Sequence, residues 1–264
     1  PYNAVVYIET TWGEKSYGGS GSIVGNNNIL TAAHVVYNEQ RGGWADEVKI
    51  YPSYDPNSSD NIFYTPIYKE AYTNYNDIDS YGDNKSGSVA GSEIDIALLS
   101  LETDIGSIYS AMNLNFNFQG GANTSKLGYP SKYNWTLNHD EGIVYKSTID
   151  NYLWFYTSDI EAGPGDSGGP LYITEGDTSS IQIVGVISQG TSQTGIACSL
   201  NAHESWLTSE IELTNYYYDK NLATISSPNN VDEGSLISFT FKTHKGEKDK
   251  QYTYTLSGVS SSDF

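Results

Sequence analysis

An all-β fold is predicted for this chain, and three observations predict it. Segments rich in β-branched and aromatic residues recur at residues 4–8, 94–101, 142–145 and 181–188. Between them lie clusters of Gly, Asn, Asp and Ser, at residues 18–21, 25–28 and 74–88, that read as turns. Hydrophobic residues make up 38% of the 264 positions and aromatics 13%, enough to bury a core, so wholesale disorder is excluded. Many short strands with turn signals between them belong to a sandwich or a barrel.

Taken in order, the strands need little further argument, but one late segment breaks the pattern. Residues 203–213 place Leu207 and Ile211 four apart, beside Trp206 and Leu213 and among Glu204 and Glu210. That spacing puts the apolar side chains on one face of a short helix, read as closing a domain. After Tyr218 the character changes. The run Ser-Ser-Pro-Asn-Asn at 226–230 is a turn or linker signal. Ile237, Phe239 and Phe241, then Tyr252, Tyr254 and Leu256, alternate with polar residues as strands do. Two strands rarely hold a sheet alone. Residues 1–220 are therefore read as the main domain, and 221–264 as a linker and a truncated, separable β-rich module. A tail that packs its two strands on the first domain is an equal alternative.

Composition narrows the function. Lys and Arg number 13 against 32 Asp and Glu, a formal net charge of −19. Arg41 is the only arginine. Gripping nucleic acid through its phosphates takes clustered cations, so no such partner is expected. No apolar run approaches the roughly 18–20 residues of a membrane-spanning helix. Cys198 is the only cysteine, which rules out an intrachain disulfide and a multi-cysteine zinc site. The sequence opens at Pro1 with no charged-then-apolar leader, as a processed or trimmed chain would.

Three motifs carry chemistry. Residues 163–170 read Gly-Pro-Gly-Asp-Ser-Gly-Gly-Pro. A serine hydroxyl is a poor nucleophile without a base to take its proton and backbone N–H donors for the developing oxyanion. Glycines flanking Ser167 let the backbone turn tightly enough to supply those donors. Residues 29–36, Ile-Leu-Thr-Ala-Ala-His-Val-Val, set His34 behind small residues in an apolar stretch. Alone, such a histidine reads as a core residue. Residues 93–99, Glu-Ile-Asp-Ile-Ala-Leu-Leu, put Asp95 inside an apolar strand, where a carboxylate is costly unless paired, and a protonated histidine would pair it.

Together, and in the order His34, Asp95, Ser167, these motifs resemble the chymotrypsin-like (trypsin-family) serine proteases. The likeness covers roughly residues 1–218 and looks nearest to the bacterial secreted members, which include disulfide-free enzymes. It implies two six-stranded antiparallel β-barrels with a C-terminal helix, followed here by the partial β domain. It implies a secreted, monomeric serine endopeptidase acting on protein or peptide substrates through a Ser167–His34–Asp95 triad, with an oxyanion hole from the Gly165 and Ser167 N–H groups. By position, Ser188 matches a serine that hydrogen-bonds the buried aspartate. Gly190 and Gly195 match the walls of the primary pocket, and Glu161, six before Ser167, matches its base. An open pocket over a carboxylate implies cleavage after Lys or Arg. Ile187 stands where glutamyl-specific members carry a histidine. The new N-terminus that pairs with the aspartate before the nucleophile, here Asp166, is not in view, so that partner stays unnamed.

Other readings stand beside this one. A non-catalytic binding module on the same fold, or an adhesin-like protein led by C-terminal β repeats, is the alternative. Val231-Asp232-Glu233-Gly234 resembles the opening of Calx-β or cadherin-like repeats. No cofactor is expected. Asp77, Asp79 and Asp83 have the spacing that begins a calcium loop, but Tyr81 and Ser88 stand where acceptors should, and a solvated acidic loop accounts for them better than a calcium site does.

Overall fold

The computed structural model describes residues 2–72, 75, 89–146, 153–156, 160–175, 180–190, 195–220, 223–226 and 240–243. The chain divides into two compact units, Pro1–Asn215 and Tyr216–Phe264.

In the first unit the strands are β1 (Val5–Trp12), β2 (Lys15–Val24), β3 (Asn28–Thr31), β4 (Tyr37–Asn38), β5 (Gly43–Trp44), β6 (Glu47–Pro52), β7 (Tyr68–Ala71), β8 (Ala97–Ser100), β9 (Asn113–Leu114), β10 (Asn123–Gly128), β11 (Asn138–Lys146), β12 (Leu153–Tyr156), β13 (Pro170–Glu175), β14 (Ser180–Gly190) and β15 (Gly195–Ser199). The helices are α1 (Ala33–Val36), α2 (Val89–Ser92), α3 (Ile105–Tyr109) and α4 (Glu204–Lys220), the last five residues of which belong to the second unit. One six-stranded sheet runs β6-β1-β2-β3-β8-β7. The other runs β13-β10-β11-β12-β15-β14-β9, and a further pairing of β13 with β14 closes six of its strands into a ring. These are the two antiparallel barrels. β9 lies outside the ring and joins β14 in parallel.

The segments read as strands fall in β1, β11 and β14, and half of 94–101 in β8. β3 and β8 are buried at every position. Their adjacent apolar residues, Ile29 with Leu30 and Ala97 to Leu99, suit the middle of a curled sheet, where both faces are covered.

The helix read over 203–213 is longer, and its packing explains its place. Leu207 is fully buried, Thr214 Oγ1 donates to Asn28 Oδ1 at 3.0 Å, and Tyr68 donates to Glu210 at 2.7 Å. Just before it, His203 lies buried edge-on to Tyr72 and donates from Nε2 to the Glu93 carbonyl at 2.7 Å. Burial pushes its imidazole down from 6.5 to about 4, although the Glu93 bond pulls the other way. A depressed histidine is stabilising while neutral: its contribution is complete above the unfolded value and drains as pH falls toward the folded one. Between pH 7 and 4.5 this group alone is expected to remove about 2–3 kcal/mol of folding stability. Urea midpoints at both pH values should show a flatter dependence for His203→Phe. An unchanged slope would exclude His203 as the titrating group.

In the second unit, β16 (Ala223–Ser226) pairs antiparallel with β17 (Thr240–Thr243). β17 begins within the first alternating pattern of the tail; β16 carried no such pattern. Residues 252–256 and 231–234 lie outside the described residues, as do Asp77, Asp79 and Asp83. No helix among the described residues is long and apolar enough to cross a membrane.

Candidate active site

A strand register brings His34 to Asp95. β3 and β8 run antiparallel with Thr31 opposite Ala97, so the end of one and the start of the other share an edge. His34 follows that edge in α1, and Asp95 precedes it. The expectation that Asp95 sits inside the strand is corrected here: it lies just ahead of β8. Outside the ladder the backbone is free to turn the carboxylate onto α1.

Asp95 is fully buried. Its Oδ1 accepts the His34 backbone N–H at 2.9 Å, and its Oδ2 accepts the ring Nδ1–H at 2.7 Å and the Ser188 hydroxyl at 2.5 Å. Those donors offset the cost of burying the carboxylate. Donation from Nδ1 leaves the Nε2 lone pair of His34 as a proton acceptor. Ser188 therefore turns its side chain inward, to Asp95 and to Ser92 Oγ at 3.2 Å.

Ser167 comes from the second barrel. The turn before β13 is tied to β14, because Gly168 donates to Ile187 at 2.8 Å and Ile187 to Gly169 at 2.9 Å. It is tied to the first barrel through Ser20, whose N–H donates to the Ser167 carbonyl at 2.8 Å. The Ser20 hydroxyl accepts from Tyr129 N–H at 2.8 Å and donates to the Gly165 carbonyl at 2.7 Å. Gly165 and Gly168 have φ of +101° and +84°, and a Cβ would strike Tyr129 O at the first and Ser20 O at the second. Both positions require glycine on two counts. Among the described residues, nothing accepts a hydrogen bond from the Gly165 or Ser167 N–H. His34, Gly165 and Ser167 line one open pocket of about 280 Å³.

Asp166 finds its partner within the chain. Lys126 Nζ stands 2.7 Å from Asp166 Oδ1 and donates to the Glu161 carbonyl at 2.8 Å. Both side chains are buried, at 1% and 2% exposure. Asp166 Oδ2 accepts the Gly163 N–H at 2.9 Å, which folds the turn back on itself. Burial raises the Asp166 carboxyl above its ordinary value, and Lys126 opposes the shift. Lys126 and Ser20 escape sequence reading. A lysine in a strand reads as a solvated side chain, and Ser20 as one more turn residue.

Two of the predicted pocket residues face each other. Gly190 opposes Gly195 across β14 and β15, and a Cβ on Gly190 would come within 2.5 Å of Ala162 Cβ. Glu161 precedes Ala162 in the chain, its N–H donating to Asp140 at 2.8 Å. Its carboxylate is engaged: Lys132 Nζ lies at 2.7 and 2.9 Å and Tyr133 Oη at 3.4 Å. The Lys132 bond holds the Glu161 carboxyl below its ordinary value.

Comparison with known proteins agrees with this architecture. Residues 1–206 match the family described as Trypsin. The protease Anisep from Arthrobacter nicotinovorans is 20% identical, with a TM-score of 0.59 over 75% of this chain and 90% of its own. A Glu endopeptidase solved in complex with MPD is 22% identical, with a TM-score of 0.57 over 83% and 92%. The thermostable serine protease AL20 from an extremophilic microorganism is 17% identical, with a TM-score of 0.62 over 83% and 99%. No curated protein matches the chain.

Proposed function

The chain belongs to the trypsin family of serine endopeptidases, and on that premise we propose that it cleaves peptide bonds through an acyl-enzyme on Ser167, with His34 as base and Asp95 as its orienting partner. The observation that carries the assignment is the Nδ1–H bond from His34 to buried Asp95, in a pocket that His34 shares with Ser167. Ser167 Oγ attacks the substrate carbonyl while its proton passes to His34 Nε2. The imidazolium is stabilised by Asp95, and the oxyanion by the Gly165 and Ser167 N–H groups. Collapse breaks the C–N bond, and His34 returns the proton to the departing amine. Water then repeats the sequence against the ester and restores Ser167. Secretion accompanies this reading.

For the residue before the scissile bond the proposal is Lys or Arg, on Glu161 beside Gly190 and Gly195. One observation favours a second reading. The Glu161 carboxylate already holds Lys132, so an incoming cation must compete with that ammonium. A Lys132 released from it could instead meet an acidic side chain, and one structural neighbour is a Glu endopeptidase. A peptide-library cleavage profile with Ser167→Ala as the blank decides. Cleavage after Lys and Arg that weakens in Glu161→Gln is expected. Cleavage after Glu would overturn the specificity alone, and cleavage that survives Ser167→Ala would overturn the nucleophile.

A further inference from the structure

A second pocket adjoins the one that His34 shares with Ser167. It encloses about 310 Å³ and has Tyr17, Gly18 and Pro164 in common with its neighbour. Tyr7, Trp135 and Glu9 make up most of the rest of its lining. We propose that this second pocket is a subsite for an aromatic side chain on the departing half of the substrate, and that Trp135 selects it.

The place follows from the chemistry, so the inference rests on the triad reading above. The side chain before the scissile bond is assigned to Gly190 and Gly195, on β14 and β15, and neither strand lines either pocket. His34 hands its proton to the departing amine, so the first residue after the bond lies at the His34 pocket. Successive side chains of an extended segment point to opposite sides. The second residue after the bond therefore meets the adjoining pocket.

Trp135 is held there against its own backbone preference. Just after the Ser131–Tyr133 turn it has φ of +58°, where the Cβ of a bulky residue crowds the next carbonyl oxygen. Such a conformation persists only where its surroundings impose it. The Trp135 N–H donates to the Pro130 carbonyl at 3.1 Å, and the indole stands 5.5 Å from the Tyr7 ring, centroid to centroid. Gly18 and Gly165 clear space for it, since a Cβ on either would strike the indole ring. The residue nevertheless stays partly exposed, so core burial does not account for its position. What the strain secures is a fixed aromatic ring beside Gly165, which carries one of the proposed oxyanion donors.

The rings decide the ligand. An aromatic side chain packed edge-to-face or offset against Trp135 gains more than its buried area alone supplies. Glu9 is the one carboxylate on the lining, and Lys49 Nζ lies 3.7 Å from it, an ammonium that Glu47 shares at 3.0 Å. An acidic side chain meets Glu9 as a like charge, and a basic one finds it already engaged. Because the indole is held before substrate arrives, little side-chain entropy is lost on binding.

Internally quenched peptides test the proposal. All carry, before the scissile bond, the residue that the cleavage profile selects. After it they carry Phe, cyclohexylalanine, Ala, Lys or Glu at the first, second or third position, one position varied at a time. At the second position the wild-type protein is expected to favour Phe over Ala in kcat/KM by about tenfold, and Phe over cyclohexylalanine by about threefold. Raising NaCl should leave both ratios unchanged. Trp135→Gly removes the ring and suits the positive φ. In that variant Phe over Ala should fall to about twofold and Phe over cyclohexylalanine to about one, while Trp135→Phe keeps both preferences in part. The ratios are read within each variant, so a general loss of activity through the Gly165 contact does not imitate the effect. Ratios near one at all three positions, a preference confined to the first or third, one that survives Trp135→Gly, or a stronger preference for Lys or Glu than for Phe would overturn the subsite. Each leaves the protease reading intact. If the wild-type protein cleaves none of the peptides, both readings fall.

Discussion

Asp95→Asn is expected to lower kcat about 10⁴-fold with little change in KM or fold, the scale seen when the orienting carboxylate of such a triad becomes an amide. The reason is which atom faces the ring. Asp95 Oδ1 takes the His34 backbone N–H at 2.9 Å, so an asparagine in the same pose keeps its carbonyl there. Its amide nitrogen then faces His34 Nδ1, where Oδ2 now accepts at 2.7 Å. An N–H donor at that place makes Nδ1 the acceptor and puts the ring proton on Nε2. A histidine protonated on Nε2 cannot take the Ser167 proton. The amide is nearly isosteric and buried among the same neighbours, so the loss should fall on the chemical step. Single-turnover kinetics and urea midpoints measure the two separately. A loss of tenfold or less with the fold intact would remove Asp95 from the mechanism.

His34, Asp95 and Ser167 were legible in the sequence because each sits in a local run whose residue types answer a chemical need. The small residues before His34 and the glycines around Ser167 belong to the same stretch of chain as the residue they serve. The barrels were legible in kind, through short β-rich segments, although the 18–21 cluster read as a turn lies inside β2. The β9–β14 parallel pairing was not, because Asn113–Leu114 is too short to show a period. What supports the site from a distance was hidden. Ser20 bridges Tyr129 and Gly165, which stand 109 and 145 residues away. Lys126 lies 40 residues before Asp166, in a strand whose last three positions are all buried, so alternation does not show which way it points. The resemblance suggested a new N-terminus for Asp166, and only the fold reveals a lysine in that role. The Glu161 reading failed to foresee Lys132 for the same reason: the pair spans 29 residues and forms only once the Ser131–Tyr133 turn is in place.

Lys126→Met is expected to cost about 3–5 kcal/mol of stability, since it leaves a buried carboxylate without its cation. Asp166 already sits above its ordinary carboxyl value because of burial, with Lys126 opposing. Without the lysine its folded value rises further. A group whose folded value is raised favours the fold when protonated, and that advantage is lost as pH climbs through the folded value. The deficit of the variant relative to wild type should therefore shrink as pH is lowered toward 4. His203 titrates in both proteins and cancels from the comparison. Activity should fall as well, because Asp166 links the Gly163 N–H to Lys126 and stands between the two proposed oxyanion donors. A merely structural lysine would predict recovery of both properties once the charge imbalance is removed. Lys126→Met with Asp166→Asn removes it, and this double variant is expected to regain most of the stability yet keep a reduced kcat at similar KM. Lys126→Arg should retain more kcat than Lys126→Met. Urea midpoints across pH, read in the Ser167→Ala background to prevent autolysis, and active-site titration of the Ser167-intact forms measure these effects. A stability deficit below about 1 kcal/mol, or a double variant with full kcat, would show that Lys126 does not hold the Gly165–Ser167 turn in its working shape.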